Sequence, residues 1–459
     1  MTWKMALESS QGNDPVTATD VSGQADLAAP DLDARSLRRL VLSLIMAEQD
    51  QLQRSGSLHR DHHLLGMVAT LPDAEIDRLA IAEDQLGFDS LARLDLILSI
   101  NRFFQLDMSG VEDYLLVHPT IGDWIRLIGK HRSIVADDWS FGFATSGSAG
   151  KPKIIVHEAK TLWAEMMAQR AGPFQDILPS GRIICLVPPH HIYGFLFSCV
   201  LAEILGAEVI DLHRAAPTAA FREAKRGDLV VGTPFNWEML CKTDKSFSDG
   251  IYGVMSAGPS TPQSWKAATD LGLTRMTEIF GATETGGLGT RTSGDTPFTL
   301  LPHLIMQKGE VICQRRQRPL TLQDDLAWVN DREFTVQGRK DHAVQVAGVN
   351  VSPAMVTDHI KQVDGVADAV VRPGDPRLKA FVVPTDFAPD EETLRRAIQS
   401  HLQHHLAPVA RPSSIDFGPA LPRNGMGKLV DWHPRTADIQ GAARALAEAE
   451  QTSPRTQGN

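Results

Sequence analysis

The 459-residue chain contains few cysteines and no long apolar segment. Its four cysteines (Cys185, Cys199, Cys241 and Cys313) lie far apart without a C-x-x-C pair, which argues against a zinc knuckle or a disulfide framework. We expect them to be buried small hydrophobic residues in a reducing cytosol. No apolar run is long enough to span a bilayer, and the N-terminus lacks a basic-then-apolar leader. The sequence therefore predicts a cytoplasmic protein without a membrane partner.

Long basic runs are missing as well. The formal net charge is −11, which argues against nucleic-acid binding as the main activity. Hydrophobic residues make up 42% and charged residues 22% of the chain, as is ordinary for a soluble globular protein. A chain of this length can form two or three domains with sizeable cores.

The hydrophobic pattern divides the chain into five segments. Residues 1–34 are polar without apolar periodicity and are predicted to be disordered. Residues 35–132 show helical spacing, whereas residues 133–338 alternate short β-rich runs with helical stretches, as is typical of an α/β sheet. Residues 339–433 change to a compact α+β pattern. The polar tail, residues 434–459, is expected to fray.

Single elements are predicted within these segments. Apolar residues at helical spacing predict helices over residues 37–45 and 90–104. Runs of β-branched and other apolar residues predict strands at 183–187, 229–231 and 367–371.

One segment combines glycines, hydroxyl groups and lysines. Glycines let the backbone approach a phosphate closely, hydroxyls donate to its oxygens, and lysines offset its charge. It is not a Walker A sequence, because proline follows Lys151 and no glycine stands five residues before Gly150. We therefore predict a phosphate loop of another kind, with a flexible linker as the alternative. Its residues include Thr145, Ser146, Gly147, Ser148, Gly150, Lys151 and Lys153.

Further motifs follow this loop in a fixed order. They are VPPHHIYG at 187–194, FGATETG at 280–286, DDL at 324–326 with GRKD at 338–341, and PRNGMGK at 422–428. In this order they resemble the acyl-adenylate-forming (AMP-binding) ligase superfamily. The resemblance covers roughly residues 138–432. It implies a shortened large α/β domain and a small mobile α+β C-terminal domain, here preceded by a helical domain.

The resemblance also implies the chemistry, which is ATP-dependent activation of a carboxylate with pyrophosphate release. Negative charge must then be offset at several points. By resemblance, Thr283 and Glu284 meet the α-phosphate, and Glu284 holds Mg²⁺, a cation that prefers oxygen ligands. Asp325 would accept hydrogen bonds from the ribose hydroxyls, with Arg339 nearby.

The C-terminal motifs carry the remaining roles that the resemblance implies. Lys428 would approach the bridging oxygen and the acyl carboxylate during adenylation, as a mobile point charge on a long stem. Asp341 matches the hinge about which the C-terminal domain swings between the two half-reactions. Gln345 stands where many relatives have a lysine, so the CoA contact of that lysine has no counterpart here.

The shortened core, the Val-Ser-Pro sequence at 351–353 and the Pro-His-His-Ile-Tyr-Gly segment are similar to one small branch. These are the short 4-coumarate–CoA ligases of the photoactive yellow protein activation type, which implies 4-coumarate and CoA as substrates. Such a planar acid needs an apolar slot. The residues expected to form it are Tyr193, Phe195, Phe235 and Gly281, with His191 as its gate or else as a satisfied core histidine.

The front end resembles an acyl-carrier domain. The sequences LGFDSL at 86–91 and HPTIGDW at 118–124 stand at carrier spacing. By resemblance, Ser90 would take phosphopantetheine. The alternative is that Asp89 and Ser90 only begin a helix, with the carrier-like fold kept for docking.

Two other functions stay open, and so do the acid and the oligomeric state. The first is an aryl-adenylating ligase that loads a pantetheine carrier, its own Ser90 included, and so has an acyl-acceptor protein as its partner. The second is a degenerate, non-catalytic binding protein. The histidine groups at 59–63 and 401–405 are expected to be solvated surface. His401 and His405 would share a helix face, but no matched carboxylates or cysteines accompany them.

Overall fold

A computed structural model describes residues 31–54, 71–145, 153–175, 181–258, 260–315, 318–339, 344–346, 349–374, 377–422 and 431–432. Among the helices in these ranges, none is long and apolar enough to cross a membrane. The four cysteines are free thiols, of which three are buried and Cys241 is half-buried.

The front of the described chain is helical. Its helices are α1 (Ala34–Arg54), α2 (Asp73–Ile76), α3 (Glu83–Leu86), α4 (Ser90–Phe104), α5 (Tyr114–Val117) and α6 (Ile121–Val135). Polar side chains fix two helix starts: Asp89 accepts a backbone N–H of α4 at 2.8 Å, and Thr120 with Asp123 forms a capping box for α6. The helices predicted at residues 37–45 and 90–104 are confirmed.

Strands dominate the middle of the chain. They are β1 (Ser140–Thr145), β2 (Lys153–Glu158), β3 (Ile183–Cys185), β4 (Val209–Asp211), β5 (Leu229–Gly232), β6 (Tyr252–Met255), β7 (Arg275–Ala282), β8 (Gly286–Arg291), β9 (Phe298–Leu300), β10 (Leu304–Gln307), β11 (Glu310–Cys313), β12 (Arg318–Pro319), β13 (Asp324–Trp328) and β14 (Glu333–Arg339). β1 and β2 form an antiparallel hairpin, and β10 to β12 form a small sheet. The strands predicted at 183–187 and 229–231 are confirmed, although β3 ends at Cys185.

The remaining nine of these strands form one sheet, in the order β13-β14-β9-β8-β7-β6-β5-β3-β4. Its β4-β3-β5-β6-β7 part is parallel and its other part is antiparallel. The carboxyl ends of parallel strands meet at one edge, where open α/β sheets bind ligands. The helices of this part are α7 (Ala159–Ala171), α8 (Ile192–Phe195), α9 (Leu201–Leu205), α10 (Ala220–Glu223), α11 (Pro234–Cys241) and α12 (Pro262–Asp270), with a π-helical turn Leu196–Val200 joining α8 to α9.

The front helices and the sheet share one hydrophobic core. Arg39 of α1 donates to the Ser198 carbonyl at 2.6 Å, and the Ser43 hydroxyl lies 2.7 Å from Nδ1 of His190. The structure thus packs the front against the sheet. The carrier-like origin of residues 35–132 stays a prediction. Buried members of the shared core include Leu40, Ile100, Trp124, Phe141 and Phe195.

The C-terminal part has a hydrophobic core of its own. Its elements are β15 (Val344–Val346), β16 (Val349–Val351), α13 (Pro353–Lys361), β17 (Val366–Pro373), β18 (Leu378–Pro384), α14 (Glu391–His405) and β19 (Ser414–Phe417). β17, β18 and β19 form a three-stranded sheet, and the strand predicted at 367–371 is confirmed. Both helices are amphipathic: α13 buries Val356 and Ile360, and α14 buries Leu394 and Ile398.

Candidate active site

A cavity of about 630 Å³ opens at the carboxyl edge of the parallel strands. This volume suits a drug-sized ligand. Its wall combines small residues after β6, the end of β7, one face of the helix that begins with α8, and part of α7, β13 and β14. The lining residues with polar side chains include Glu165, Gln169, Tyr193, Ser256, Glu278, Thr283, Arg291 and Asp324.

The turn between β7 and β8 places Thr283 in the cavity wall and is followed directly by a carboxylate, Glu284, that is not itself in the wall. Gly281 and Thr283 lie in the wall, and Glu284 follows as a half-buried side chain. The Ala282 N–H donates to the Thr285 hydroxyl at 3.1 Å, which closes the turn. A Cβ on Gly281 would lie 2.3 Å from the Gly286 carbonyl oxygen, so only glycine is tolerated there. The turn is therefore a fixed platform for the Thr283 and Glu284 groups.

The β1–β2 hairpin, which carries the predicted phosphate loop, is hydrogen-bonded to the turn between β7 and β8. Thr145 pairs with Lys153 at the base of the loop, and residues 146–152, which include Ser146, Gly147, Ser148, Gly150 and Lys151, lie outside the described residues. Nε2 of the buried His157 in β2 lies 2.6 Å from the Thr283 carbonyl oxygen. This contact brings the loop's base and the Thr283 turn, which are far apart in sequence, to one place.

Two neighbouring aspartates begin β13 and differ in exposure. Asp324 lies in the cavity wall, whereas the Asp325 residue is exposed. Successive side chains of a strand point to opposite faces, which separates the two carboxylates. Asp324 pairs with Arg339 through the backbone of β14, and the side chain of Arg339 lies outside the described set. The cavity position belongs to Asp324, whereas the family resemblance assigns the ribose contact to Asp325.

The apolar side of the cavity comes from the segment after His191. Ile192, Tyr193, Leu196 and Phe197 line it, and the Tyr193 hydroxyl is held 3.1 Å from two backbone carbonyl oxygens of the sheet. These four residues share a face, because helix neighbours stand three or four positions apart. The same periodicity would have singled out Leu196 and Phe197 from the sequence.

Two residues expected in the acyl slot lie elsewhere. Phe195, two positions after Tyr193, points to the other side of the helix and is fully buried, with its ring 4.6 Å from that of Phe141. Phe235 is 52% exposed and is not in the cavity wall. Of the residues expected in the slot, Tyr193 and Gly281 therefore lie in the cavity wall, and the wall also contains Phe197.

A buried carboxyl group stands at the α7 side of the cavity. Oε1 of Glu165 accepts hydrogen bonds from the Gly287 N–H at 2.8 Å and from Nε2 of Gln169 at 3.0 Å. Glu165 is only 3% exposed, and burial raises its pKa to about 8 in spite of both hydrogen bonds. The carboxyl group is thus largely protonated at neutral pH. Oε1 of Gln169 is buried without a hydrogen-bond partner among the described residues.

An ion pair forms a further part of the wall. Nε of Arg291 lies 2.6 Å from Oε2 of Glu278, and another guanidinium nitrogen donates to the Ser260 hydroxyl at 2.9 Å. Burial raises the pKa of Glu278, and Arg291 opposes that rise. The guanidinium also lies 4.3 Å from the centre of the Phe298 ring. These contacts fix the wall next to Ser256 and the small residues after β6, a segment without a recognisable sequence motif.

The other expected site residues lie outside the cavity wall or outside the described residues. His191 precedes α8 as an exposed residue, with its ring 4.4 Å from that of His190. Ser90 is the exposed first residue of α4, next to the capping Asp89. Lys428 and Asp341 lie outside the described residues, so their roles stay predictions.

Comparison with known proteins adds independent information. Residues 78–304 match the family model of the AMP-binding enzymes, and residues 358–428 match that of the AMP-binding enzyme C-terminal domain. A 4-coumarate–CoA ligase of Cereibacter sphaeroides is 40% identical over 90% of this chain and 100% of its own length. A 4-coumarate–CoA ligase of Rhodobacter capsulatus is 39% identical over 86% of this chain and 100% of its own length.

A solved structure shows the same fold. The o-succinylbenzoate CoA synthetase of Bacillus subtilis superposes with a TM-score of 0.50 at 18% identity, over 63% of this chain and 67% of its own.

Proposed function

The chain belongs to the AMP-binding enzyme family, and we propose that it is an AMP-forming acid–thiol ligase for an aromatic carboxylic acid, with 4-coumarate as the best candidate. In the first half-reaction a carboxylate oxygen attacks the α-phosphorus of ATP and pyrophosphate leaves. In the second, the CoA thiol attacks the acyl carbonyl and AMP leaves. The observation that carries this proposal is one cavity that is lined by the Thr283 turn and Asp324, by an apolar helix face and by the buried Glu165 and Gln169.

The nucleotide side is built for charge that develops during adenylation. The Thr283 turn and the base of the Thr145–Lys153 hairpin are joined through His157. We assign phosphate binding to these two segments. We assign the ribose to Asp324, because it lies in the cavity wall and Asp325 does not.

Glu284 suits a magnesium ligand. It supplies one half-buried carboxylate next in sequence to Thr283, and Mg²⁺ in such sites binds one or two carboxylates together with phosphate oxygens and water. When bound, the ion would offset the negative charge that moves onto the leaving pyrophosphate. The turn that holds Glu284 is closed by the hydrogen bond from the Ala282 N–H to the Thr285 hydroxyl.

The apolar side and the polar end account for an acid such as 4-coumarate. Its ring and propenoate chain are flat and apolar, which matches the wall formed by Tyr193, Leu196 and Phe197. Its phenol group needs a hydrogen-bond donor and an acceptor. A protonated Glu165 offers the donor, and Gln169 offers an amide oxygen that accepts no other bond among the described residues. We therefore propose that this pair recognises the phenol.

The identity of the acceptor thiol distinguishes transfer to free CoA from the loading of a pantetheine on Ser90. Ser90 is exposed at the start of α4, as a carrier serine would be. The helices around it, however, pack into the same core as the sheet. A pantetheine on Ser90 would therefore be attached to a domain that does not move freely. This packing favours free CoA as the acceptor.

Product analysis tests the function. The full-length protein is incubated with ATP, Mg²⁺, CoA and 4-coumarate, and we expect AMP and 4-coumaroyl-CoA in equal amounts. Activation without a CoA thioester, together with a phosphopantetheine mass on the Ser90 peptide, would replace the proposal with carrier loading. The absence of AMP with every aromatic acid tried would indicate a non-catalytic binding protein.

A further inference from the structure

A second cluster of functional groups lies in the C-terminal part, in none of the elements that line the cavity. Ligand nitrogens of His359, His401 and His405 lie within 4.8 Å of one another. His359 comes from α13, and the other two come from the last turns of α14. From this geometry we propose that the three histidines bind one divalent transition metal ion, best matched by Zn²⁺, between the two helices.

The helix packing sets this arrangement. His401 and His405 stand one turn apart, so their rings stack with centres 4.2 Å apart and an interplanar angle of 27°. Val356 and Ile360 of α13 are buried in the same core as Leu402 of α14. His359, next to Ile360, is thereby placed with its ring 5.7 Å from that of His401 and 5.4 Å from that of His405. Three imidazoles from two helices thus converge on one point.

Two ring nitrogens in the cluster have no other role among the described residues. Nδ1 of His359 and Nε2 of His401 are buried and make no hydrogen bond within that set. An unpaired buried polar atom costs free energy. A metal ion accepts their lone pairs and removes this cost.

The third histidine is oriented by the backbone. Nδ1 of His405 lies 2.7 Å from the His401 carbonyl oxygen, so Nδ1 carries the hydrogen and Nε2 keeps its lone pair. Metal-bound histidines are commonly held in this way by a hydrogen bond from the other ring nitrogen. Burial and the neighbouring imidazoles lower the pKa of His401, and burial lowers that of His359, which favours the neutral form of the ring that binds metals.

The ligand chemistry decides the class of ion. Three neutral imidazoles without a carboxylate suit Zn²⁺, Cu²⁺ or Ni²⁺ and do not suit Mg²⁺ or Ca²⁺, which prefer oxygen ligands. Tetrahedral zinc with bonds of about 2.0–2.1 Å needs nitrogens about 3.4 Å apart. The ligand nitrogens lie within 4.8 Å of one another, so the imidazoles must move closer together when the ion binds. His405 is exposed, so a fourth position faces solvent and would hold water.

Such an ion would join α13 to α14 and stabilise the C-terminal part. It would be separate from the Mg²⁺ that accompanies ATP, since His359, His401 and His405 share no element with the Thr283 turn. Sequence alone pairs only His401 with His405. His359 lies forty or more positions away, and only the packing of α13 on α14 brings it to them.

The test uses untagged full-length protein that has been freed of metal with a chelator, without ATP. Zn²⁺ titration by calorimetry should show one site per chain, and Zn²⁺ should raise Tm by several degrees through binding to the native state alone. His405→Ala, chosen because its ring is exposed, and His359→Ala should each weaken binding at least tenfold, because loss even of groups that only orient a ligand costs 10–100-fold.

His404→Ala is the matched control. His404 makes the same kind of backbone contact, with Nδ1 2.6 Å from the Ser400 carbonyl oxygen, but does not belong to the cluster. It should bind Zn²⁺ as the unaltered protein does, and each variant's Tm without metal reports whether it folds. If His359→Ala fails to fold, His405→Ala decides alone. No stoichiometric binding, or binding that His405→Ala leaves unchanged, would overturn the proposal.

Discussion

His157 is hydrogen-bonded to the backbone of Thr283: its Nε2 lies 2.6 Å from the Thr283 carbonyl oxygen, and the ring is buried. The first residue belongs to the hairpin of the glycine-rich loop, and the second to the turn that carries Glu284. The two segments are separated by more than a hundred residues. One hydrogen bond therefore couples the two halves of the proposed phosphate site.

Removal of this hydrogen bond should weaken nucleotide use. A typical intramolecular hydrogen bond contributes about 1 kcal/mol, which is roughly fivefold in an equilibrium constant. We expect His157→Leu to raise the KM for ATP in ATP–pyrophosphate exchange by about that factor or more. His157→Gln, whose amide can take the place of Nε2, should recover much of the loss. Equal loss in both variants would show that the contact has no positioning role.

The two aspartates of β13 provide a direct comparison. Asp324→Asn removes the charge from the cavity wall without changing its shape, whereas Asp325→Asn alters an exposed residue. We expect the first to raise the KM for ATP by about tenfold, as loss of a charged hydrogen bond would, and the second to have little effect. The reverse order would restore the ribose role to Asp325, as the sequence motif suggests.

Glu165 and Gln169 should decide the preference for phenolic acids. A site that hydrogen-bonds a hydroxyl rejects the analogue that lacks it. We expect Gln169→Leu to lower the ratio of kcat/KM for 4-coumarate over cinnamate by about tenfold. Glu165→Gln resembles the protonated acid and should keep the preference. General structural damage would affect both acids alike, so an unchanged ratio in Gln169→Leu argues against the phenol assignment.

The raised pKa of Glu165 should also appear in stability. The pKa of Glu165 is about 8 in the folded state, against an ordinary 4.5. The protonated carboxyl group therefore contributes its full stabilisation of the fold below about pH 4.5. This contribution is lost as the pH rises through 8. Between about pH 6 and pH 9 the free energy of unfolding of the unaltered protein should fall by on the order of 2 kcal/mol more than that of Glu165→Gln. Urea unfolding at the two pH values measures the difference, and parallel losses would contradict a buried neutral carboxyl.

Much of the fold follows from local pattern in the sequence. The helix at residues 90–104 and the strand at 367–371 were predictable because periodicity and β-branched runs are local signals. The motif order also indicated the family, and the family models together with the 4-coumarate–CoA ligase relatives confirm it. Local patterns do not show how α7 packs on the sheet.

The missed residues depend on that packing. In the sequence, Glu165 and Gln169 have the spacing of a polar, solvent-facing helix surface. The Gly286–Gly287 segment lets α7 approach closely enough to bury them, because a Cβ on Gly286 would lie 2.3 Å from Oε2 of Glu165. Aromatic character alone does not separate Phe195 from Phe197, whereas helix periodicity places only Phe197 on the face of Tyr193 that lines the cavity.

The most direct test of the central claim is ATP–pyrophosphate exchange with 4-coumarate, in the full-length protein and in Lys428→Ala. We predict exchange that depends on the acid and on Mg²⁺, and its loss in Lys428→Ala, because that lysine is assigned to the adenylation step. Thioester formation from ready-made 4-coumaroyl-AMP and CoA should be largely kept in the variant. Absence of exchange with every aromatic acid, or full exchange in Lys428→Ala, would contradict the account.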